Sequence, residues 1–214
     1  MKIAVIQASS QKDKNDLLYN CVRKAVQNKE DQVMNLGVFA EKEICYSYVE
    51  TAMQISILLE SKAVDFVVTG CSSGQGMMLA CNSLPGVFCG YVQHPADAYL
   101  FGRINHGNAV SLPLGLNFGW AGEIHLQCTL DKLFEEPFGT GYPKQDALRK
   151  QKDAELVKTI NVIAKRSLAE VIPILDSCFM KRVVSLDSVY DHVMNNGTNK
   201  EVIALVQKYR SNNL

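Results

Sequence analysis

Over about the first 140 residues, short β-prone apolar runs alternate with stretches of helical periodicity. Lys2–Gln7, Gln32–Leu36, Asp65–Thr69, Val87–Val92 and Asn108–Leu112 read as strands. Lys14–Asn28, Tyr48–Glu60, Gln75–Asn82, a helix opening at His94-Pro95, and Phe118–Phe134 read as helices. Strict alternation of this kind predicts a parallel sheet covered by helices on both faces. Five strands fit a flavodoxin-like three-layer αβα fold with strand order 2-1-3-4-5, in which ligands bind at the carboxyl ends of the strands. From Gln145 onward the alternation stops and helix-prone, charged sequence continues to Leu214. The expected division is an α/β unit over residues 1–143 and a helical C-terminal extension over 144–214.

The balance of 22 Lys and Arg against 22 Asp and Glu gives no electrostatic case for nucleic acid or an anionic membrane surface. The apolar runs are too short to span a bilayer. The N-terminal MKIAVIQASS reads as a first strand rather than the core of a signal peptide. Seven cysteines, an odd number with no CxxC pair, predict reduced thiols and a cytoplasmic protein. Neither they nor the four histidines group at zinc-ligand spacings.

The stretch with most chemistry is Val64–Gly76, VDFVVTGCSSGQG. A strand that ends in a glycine-rich turn and opens a helix presents free amides to anions and developing oxyanions. A thiol at the same place sits in a positive field. Gly70-Cys71-Ser72-Ser73-Gly74 also matches the GxSxG of serine hydrolases, yet no acid and histidine follow in the order such a site needs. A thiol phosphatase needs an arginine six residues after its cysteine, where Met77 stands. A third possibility is a thiolate base for aldose–ketose isomerisation. That chemistry needs a base over a carbon and donors around the oxygen that becomes charged. Cys71 with the amides of Ser73, Gly74 and Gly76 would supply both. The plain alternative is a buried, inert cysteine in a tight turn. His94 lies at a strand's carboxyl end, where it is either a loop cap or a site residue. Arg103 points either to a substrate anion or to a neighbouring subunit. Trp120 opens a helix as a core or interface residue, and His125 is a helix-face histidine.

The segments MKIAVI, VDFVVTGCSSGQGMMLACNSLPGV, ADAYLFGRINHGNAVSL, GWAGE and FGTGYP resemble the ribose-5-phosphate isomerase B and galactose-6-phosphate isomerase family over about residues 1–143. The family's CGTGxG motif falls on Cys71-Ser72-Ser73-Gly74-Gln75-Gly76. The resemblance implies that Cys71 transfers the proton and that Ser72–Gly76, Gln75 included, hold the enediolate. It places the family's site tyrosine on Tyr48 and the asparagine of its HND motif on Asn105. It also implies a homodimer or homotetramer with sites at subunit interfaces, and neither metal nor cofactor.

The departures are specific. Ala8-Ser9 stand where the family has Asp-His, leaving Ser9 as the candidate substrate contact there. Ile104 occupies the place of the ring-opening histidine, with His106 two residues on. No arginine precedes Arg149 where the family grips phosphate, and Lys144 is a poorer fork. In its C-terminal extension and its INxGN pattern at Ile104–Asn108 the chain resembles a divergent branch, the 4-deoxy-L-threo-5-hexosulose-uronate ketol-isomerases. Their substrate carries a carboxylate and no phosphate, and its open-chain form lessens the need for a ring-opening histidine. The rival expectation is a non-catalytic sugar-binding or regulatory protein of the same fold.

Overall fold

The apolar runs pair into one parallel sheet in the computed structural model, which describes residues 1–211. Strands β1 (Lys2–Ile6), β2 (Gln32–Gly37), β3 (Phe66–Cys71), β4 (Cys89–Tyr91) and β5 (Ala109–Pro113) alternate with α1 (Asn15–Ala25), α2 (Tyr48–Glu60), α3 (Gln75–Ser83), α4 (Pro95–Leu100) and α5 (Gly122–Leu133). One apolar cluster lies under α1 and α5 and includes Leu18, Val22, Leu126 and Leu130. The other lies under α2 and α3 and includes Ile55, Leu58, Met77 and Cys81. The three-layer α/β expectation holds.

The strand order differs from the expected 2-1-3-4-5. It is β2-β1-β3-β5-β4, so the last two strands exchange places. Their sequences explain why. β5 reads AVSLP with its first four residues buried, and it pairs with β3 on one side and β4 on the other. β4 has only three residues, and Gly90 and Tyr91 are half-exposed. A strand buried on both faces belongs inside a parallel sheet, and a short half-exposed one belongs at its edge.

The fifth helix starts later than its periodicity predicts. Asn117, Gly119 and Ala121 all have positive φ, which no helix accommodates, so α5 begins at Gly122. Trp120 consequently projects into solvent, fully exposed, instead of entering a core within the chain.

Beyond residue 146 every regular element among the described residues is helical: α6 (Ala147–Ala164), α7 (Leu168–Val171), α8 (Ser177–Val183), α9 (Asp187–Asn196) and α10 (Lys200–Ser211). The last three residues of the expected extension lie outside the described ones. Helix α2 is buried continuously from Glu50 to Leu59. A helix buried on all sides needs cover on the face away from the sheet. Met180, Val183, Val189, Val193, Val202 and Val206 provide it, joining the α2 cluster. Helix α6 behaves differently, with Leu148, Leu156, Val157, Ile160, Val162 and Ile163 exposed and only Ala154 buried. Among the described residues no helix is long and apolar enough to cross a membrane.

Candidate active site

β3 is buried over all six residues and delivers Cys71 to the carboxyl end of the sheet, where it retains 8% exposure. The chain then turns through Gly74, whose φ of 75° lies in the left-handed region. A side chain has no room there. A Cβ on Gly74 would stand 2.8 Å from the Tyr91 ring and 2.9 Å from the backbone of Leu112 and Pro113. The amide of Gly74 donates to the Cys71 sulfur at 3.2 Å.

The turn is pinned from β5 and the loop after it. Ser111 Oγ donates to the Gly74 carbonyl at 2.6 Å, the Leu114 amide to the Cys71 carbonyl at 3.0 Å, and the Leu116 amide to the Ser72 carbonyl at 2.7 Å. The amides of Gln75 and Gly76, in the first turn of α3, donate to no protein acceptor among the described residues. Free first-turn amides are what an anionic oxygen can use.

Ser9 and Tyr48 join this turn. The Ala8 amide donates to the Gly70 carbonyl at 3.0 Å, which ties the end of β1 to β3. Ser9 Oγ accepts from the Tyr46 amide at 2.6 Å, so this hydroxyl already anchors the chain leading into α2. Tyr48, the first residue of α2, is half-exposed and lays its ring 3.6 Å from where a Gly76 Cβ would be. Ser72 Oγ accepts from Gln11 Nε2 at 3.0 Å and bonds to no histidine, so the arrangement lacks the base a serine nucleophile requires. Among the described residues no group of three or more His, Cys, Asp or Glu side chains is placed to hold a metal ion.

His94, Asn105 and His106 make their contacts elsewhere, although His94 shares a cleft with Pro113 and Leu116 and Asn105 one with Tyr91. The His94 amide donates to Asp97 Oδ2 at 3.0 Å at the start of α4, and its ring packs edge-on against His125, 5.3 Å between centroids. His125 Nε2 in turn meets the Gln93 carbonyl at 2.8 Å. Asn105 lines an open cleft of about 660 Å³ with Cys89, Tyr91, Lys150 and Asp153. His106 lies against Gly139, with Nδ1 3.4 Å from Lys158 Nζ of α6. Burial, and then the Lys158 charge, hold the His106 imidazole below its usual pKa, so it is neutral at neutral pH.

Arg103 serves neither role expected of it. It is completely buried, its guanidinium donates to the carbonyls of Leu133 (3.1 Å) and Glu136, and the rings of Phe138 and Tyr99 flank it. A cation on the carbonyls that end α5 is a helix-terminus device.

Several supporting residues carried no local signal in the sequence, among them Gln11 and Ser111. Glu50 did carry one. Ser47-Tyr48-Val49-Glu50 is a capping box: the Ser47 hydroxyl accepts from the Glu50 amide at 3.2 Å, and the Glu50 carboxylate accepts from the Ser47 amide at 2.7 Å.

The sequence profile of the ribose/galactose isomerase family matches residues 3–136. The chain belongs to this family. One relative of known structure is a 4-deoxy-L-threo-5-hexosulose-uronate ketol-isomerase solved with a tartrate. It is 38% identical over 99% of this chain and 100% of its own, with a TM-score of 0.94. A second, ribose-5-phosphate isomerase from Vibrio parahaemolyticus, is 34% identical over 98% of this chain and 99% of its own, with a TM-score of 0.93. The type B ribose 5-phosphate isomerase of Trypanosoma cruzi shares the fold at 19% identity, over 75% of this chain and 98% of its own, with a TM-score of 0.62. No curated protein matches the chain. As a member of the ribose/galactose isomerase family the chain is a sugar isomerase.

Proposed function

We propose that this isomerase moves a proton between adjacent carbons of an unphosphorylated deoxy-hexosulose uronate, with Cys71 as the base. The thiolate takes the proton from the carbon beside the carbonyl, the electron pair moves to the oxygen, and an enediolate forms. The amides of Ser73, Gln75 and Gly76 would surround that oxygen, while the Gly74 amide donates to the Cys71 sulfur. The proton then returns to the former carbonyl carbon while the hydroxyl proton passes to the former carbonyl oxygen and leaves a new carbonyl behind, so no net redox change or co-reactant is required. Tyr48, Ser9 and Ser72 would orient the substrate's hydroxyls.

One observation carries the choice of substrate. Where a sugar phosphate would need bidentate arginines, Thr140–Asp146 has none, and Arg149 is engaged with Asp146 at 3.6 Å and Asp153 at 3.3 Å. The full-length match to a uronate ketol-isomerase supports the same reading.

The reading includes a homodimer or dimer of dimers. Asn105, His106 and His94 are held by contacts other than Cys71 within one chain, and a second copy would bring its own set of these groups to the site. The exposed apolar residues of α6, with Trp120 and Ile124, form surface of the kind that subunit contacts cover. Residues 1–143 then form the isomerase unit and 144–214 its extension. Seven free thiols favour a reducing, cytoplasmic setting.

The test is isomerisation of the deoxy-hexosulose uronate, ribose 5-phosphate, allose 6-phosphate and galactose 6-phosphate. Turnover of the uronate above the phosphates is expected. Binding of every sugar without turnover would contradict it and favour a regulatory sugar-binding protein.

A further inference from the structure

The segment between β2 and α2, residues 38–47, has almost no regular structure, yet it delivers Tyr48 to the isomerase site. The α/β unit holds it through Gln7 Nε2 on the Val38 carbonyl at 2.8 Å, Ser9 on the Tyr46 backbone, Lys12 Nζ on the Lys42 carbonyl at 2.9 Å, the Ser47–Glu50 box and the buried side chains of Val38 and Tyr46.

Further ties come from the C-terminal helices, and they straddle Tyr48. Arg182 in α8 donates from Nη2 to the Cys45 carbonyl at 2.7 Å and from Nε to the Glu50 carboxylate. Its guanidinium also stacks over the Tyr46 ring, 5.9 Å from the centroid. Ser185 Oγ donates to the Arg182 carbonyl at 2.7 Å, which leaves its oxygen to accept from the Tyr46 hydroxyl at 2.8 Å. Leu175 and Phe179 of the same region line a cavity of about 360 Å³ together with Tyr48 itself.

One rigid fork thus fixes the chain three residues before Tyr48 and the carboxylate two residues after it. A planar guanidinium holds two acceptors at a set separation, and a lysine ammonium on a flexible stem does not. The Glu50 side chain it meets is 10% exposed and that of Arg182 53%, so the pair is buried on the carboxylate side only.

We propose that Arg182, supported by Ser185, is a positioning residue for Tyr48, and that the C-terminal extension thereby forms part of the catalytic apparatus. The proposal rests on the reading that Tyr48 orients the substrate. Misplacing an orienting group by a fraction of an ångström to an ångström costs about ten- to a hundred-fold in rate.

The experiment is a kinetic double-mutant cycle on the uronate with Arg182→Ala, Tyr48→Phe and the pair, each with a melting temperature. Arg182→Ala is expected to lower kcat about ten-fold with KM little changed. In the Tyr48→Phe background the same change is expected to cost nothing more, because the group it positions is already gone. Equal losses in both backgrounds overturn the proposal. Arg182→Lys keeps a cation beside Glu50, and so the fold, while losing the second donor. It is expected to share the kinetic loss, and wild-type kinetics in a folded Arg182→Lys overturn the proposal. Wild-type kinetics in Tyr48→Phe overturn it too. Cys71→Ala, measured alongside, then tells whether the base assignment survives that failure.

Discussion

The Gly74 amide donates to the Cys71 sulfur at 3.2 Å across a turn only three residues long. That contact exists because Gly74 adopts a positive φ and packs its bare Cα against Tyr91 and the end of β5. Gly74→Ala therefore combines backbone strain with collisions at 2.8 and 2.9 Å. A loss of about 1–3 kcal/mol is expected from the conformation alone, together with near-complete loss of turnover. Thermal melting and steady-state kinetics check both, and a variant with wild-type activity contradicts this description of the turn.

Ser111 acts on the same turn from β5 through its 2.6 Å bond to the Gly74 carbonyl. Ser111→Ala deletes the donor in a buried setting and should cost about 1 kcal/mol. Its denaturant midpoint is expected to fall by less than that of Gly74→Ala, and a larger fall would put the main constraint in the hydroxyl.

The legibility of this site followed sequence distance. Cys71 to Gly76 form one strand–turn–helix passage, so their proximity was readable from neighbouring residues. Ser111 is 37 positions from Gly74, Gln11 is 61 from Ser72, and Arg182 is 137 from Cys45. Nothing local to those residues announces their partners. The exchange of β4 and β5 escaped for a related reason: both are short apolar runs, and only burial on two faces against one separates them. Arg103 carries no local sign that it points to neither a substrate anion nor a neighbouring subunit: the carbonyls ending α5 draw it fully inside.

Glu50 makes acid stability a probe of the tie to α8. Burial alone would raise its pKa. The hydrogen bond and charge of Arg182 and the Ser47 amide outweigh burial and hold the carboxyl below the ordinary 4.5. A carboxyl with a lowered folded-state pKa stabilises the protein above its unfolded value, and that contribution is lost as pH falls through the lower folded value. The melting-temperature gap between wild type and Glu50→Gln should be widest at neutral pH and shrink below about pH 4.5. A gap independent of pH contradicts the ion pair.

Lys158 of α6 is the second cause, after burial, of the low His106 pKa. Lys158→Ala is expected to move the imidazole titration part of the way back up towards 6.5, read from its ring proton shifts. An unchanged titration contradicts the 3.4 Å contact.

The exposed Ile160 and Ile163 of α6 bear on the proposed dimer. Sedimentation equilibrium should give at least twice the 23.7 kDa chain mass for wild type. Replacing both isoleucines with glutamate should shift the protein towards one copy with helix content unchanged. A wild-type protein that sediments as a single chain contradicts the shared site.

Whether Cys71 is the proton-transferring base is decided by turnover of the deoxy-hexosulose uronate by wild type and Cys71→Ala. The account predicts isomerisation by the wild type and none by a Cys71→Ala variant with an unchanged melting temperature. Most of the activity surviving in that variant would contradict it.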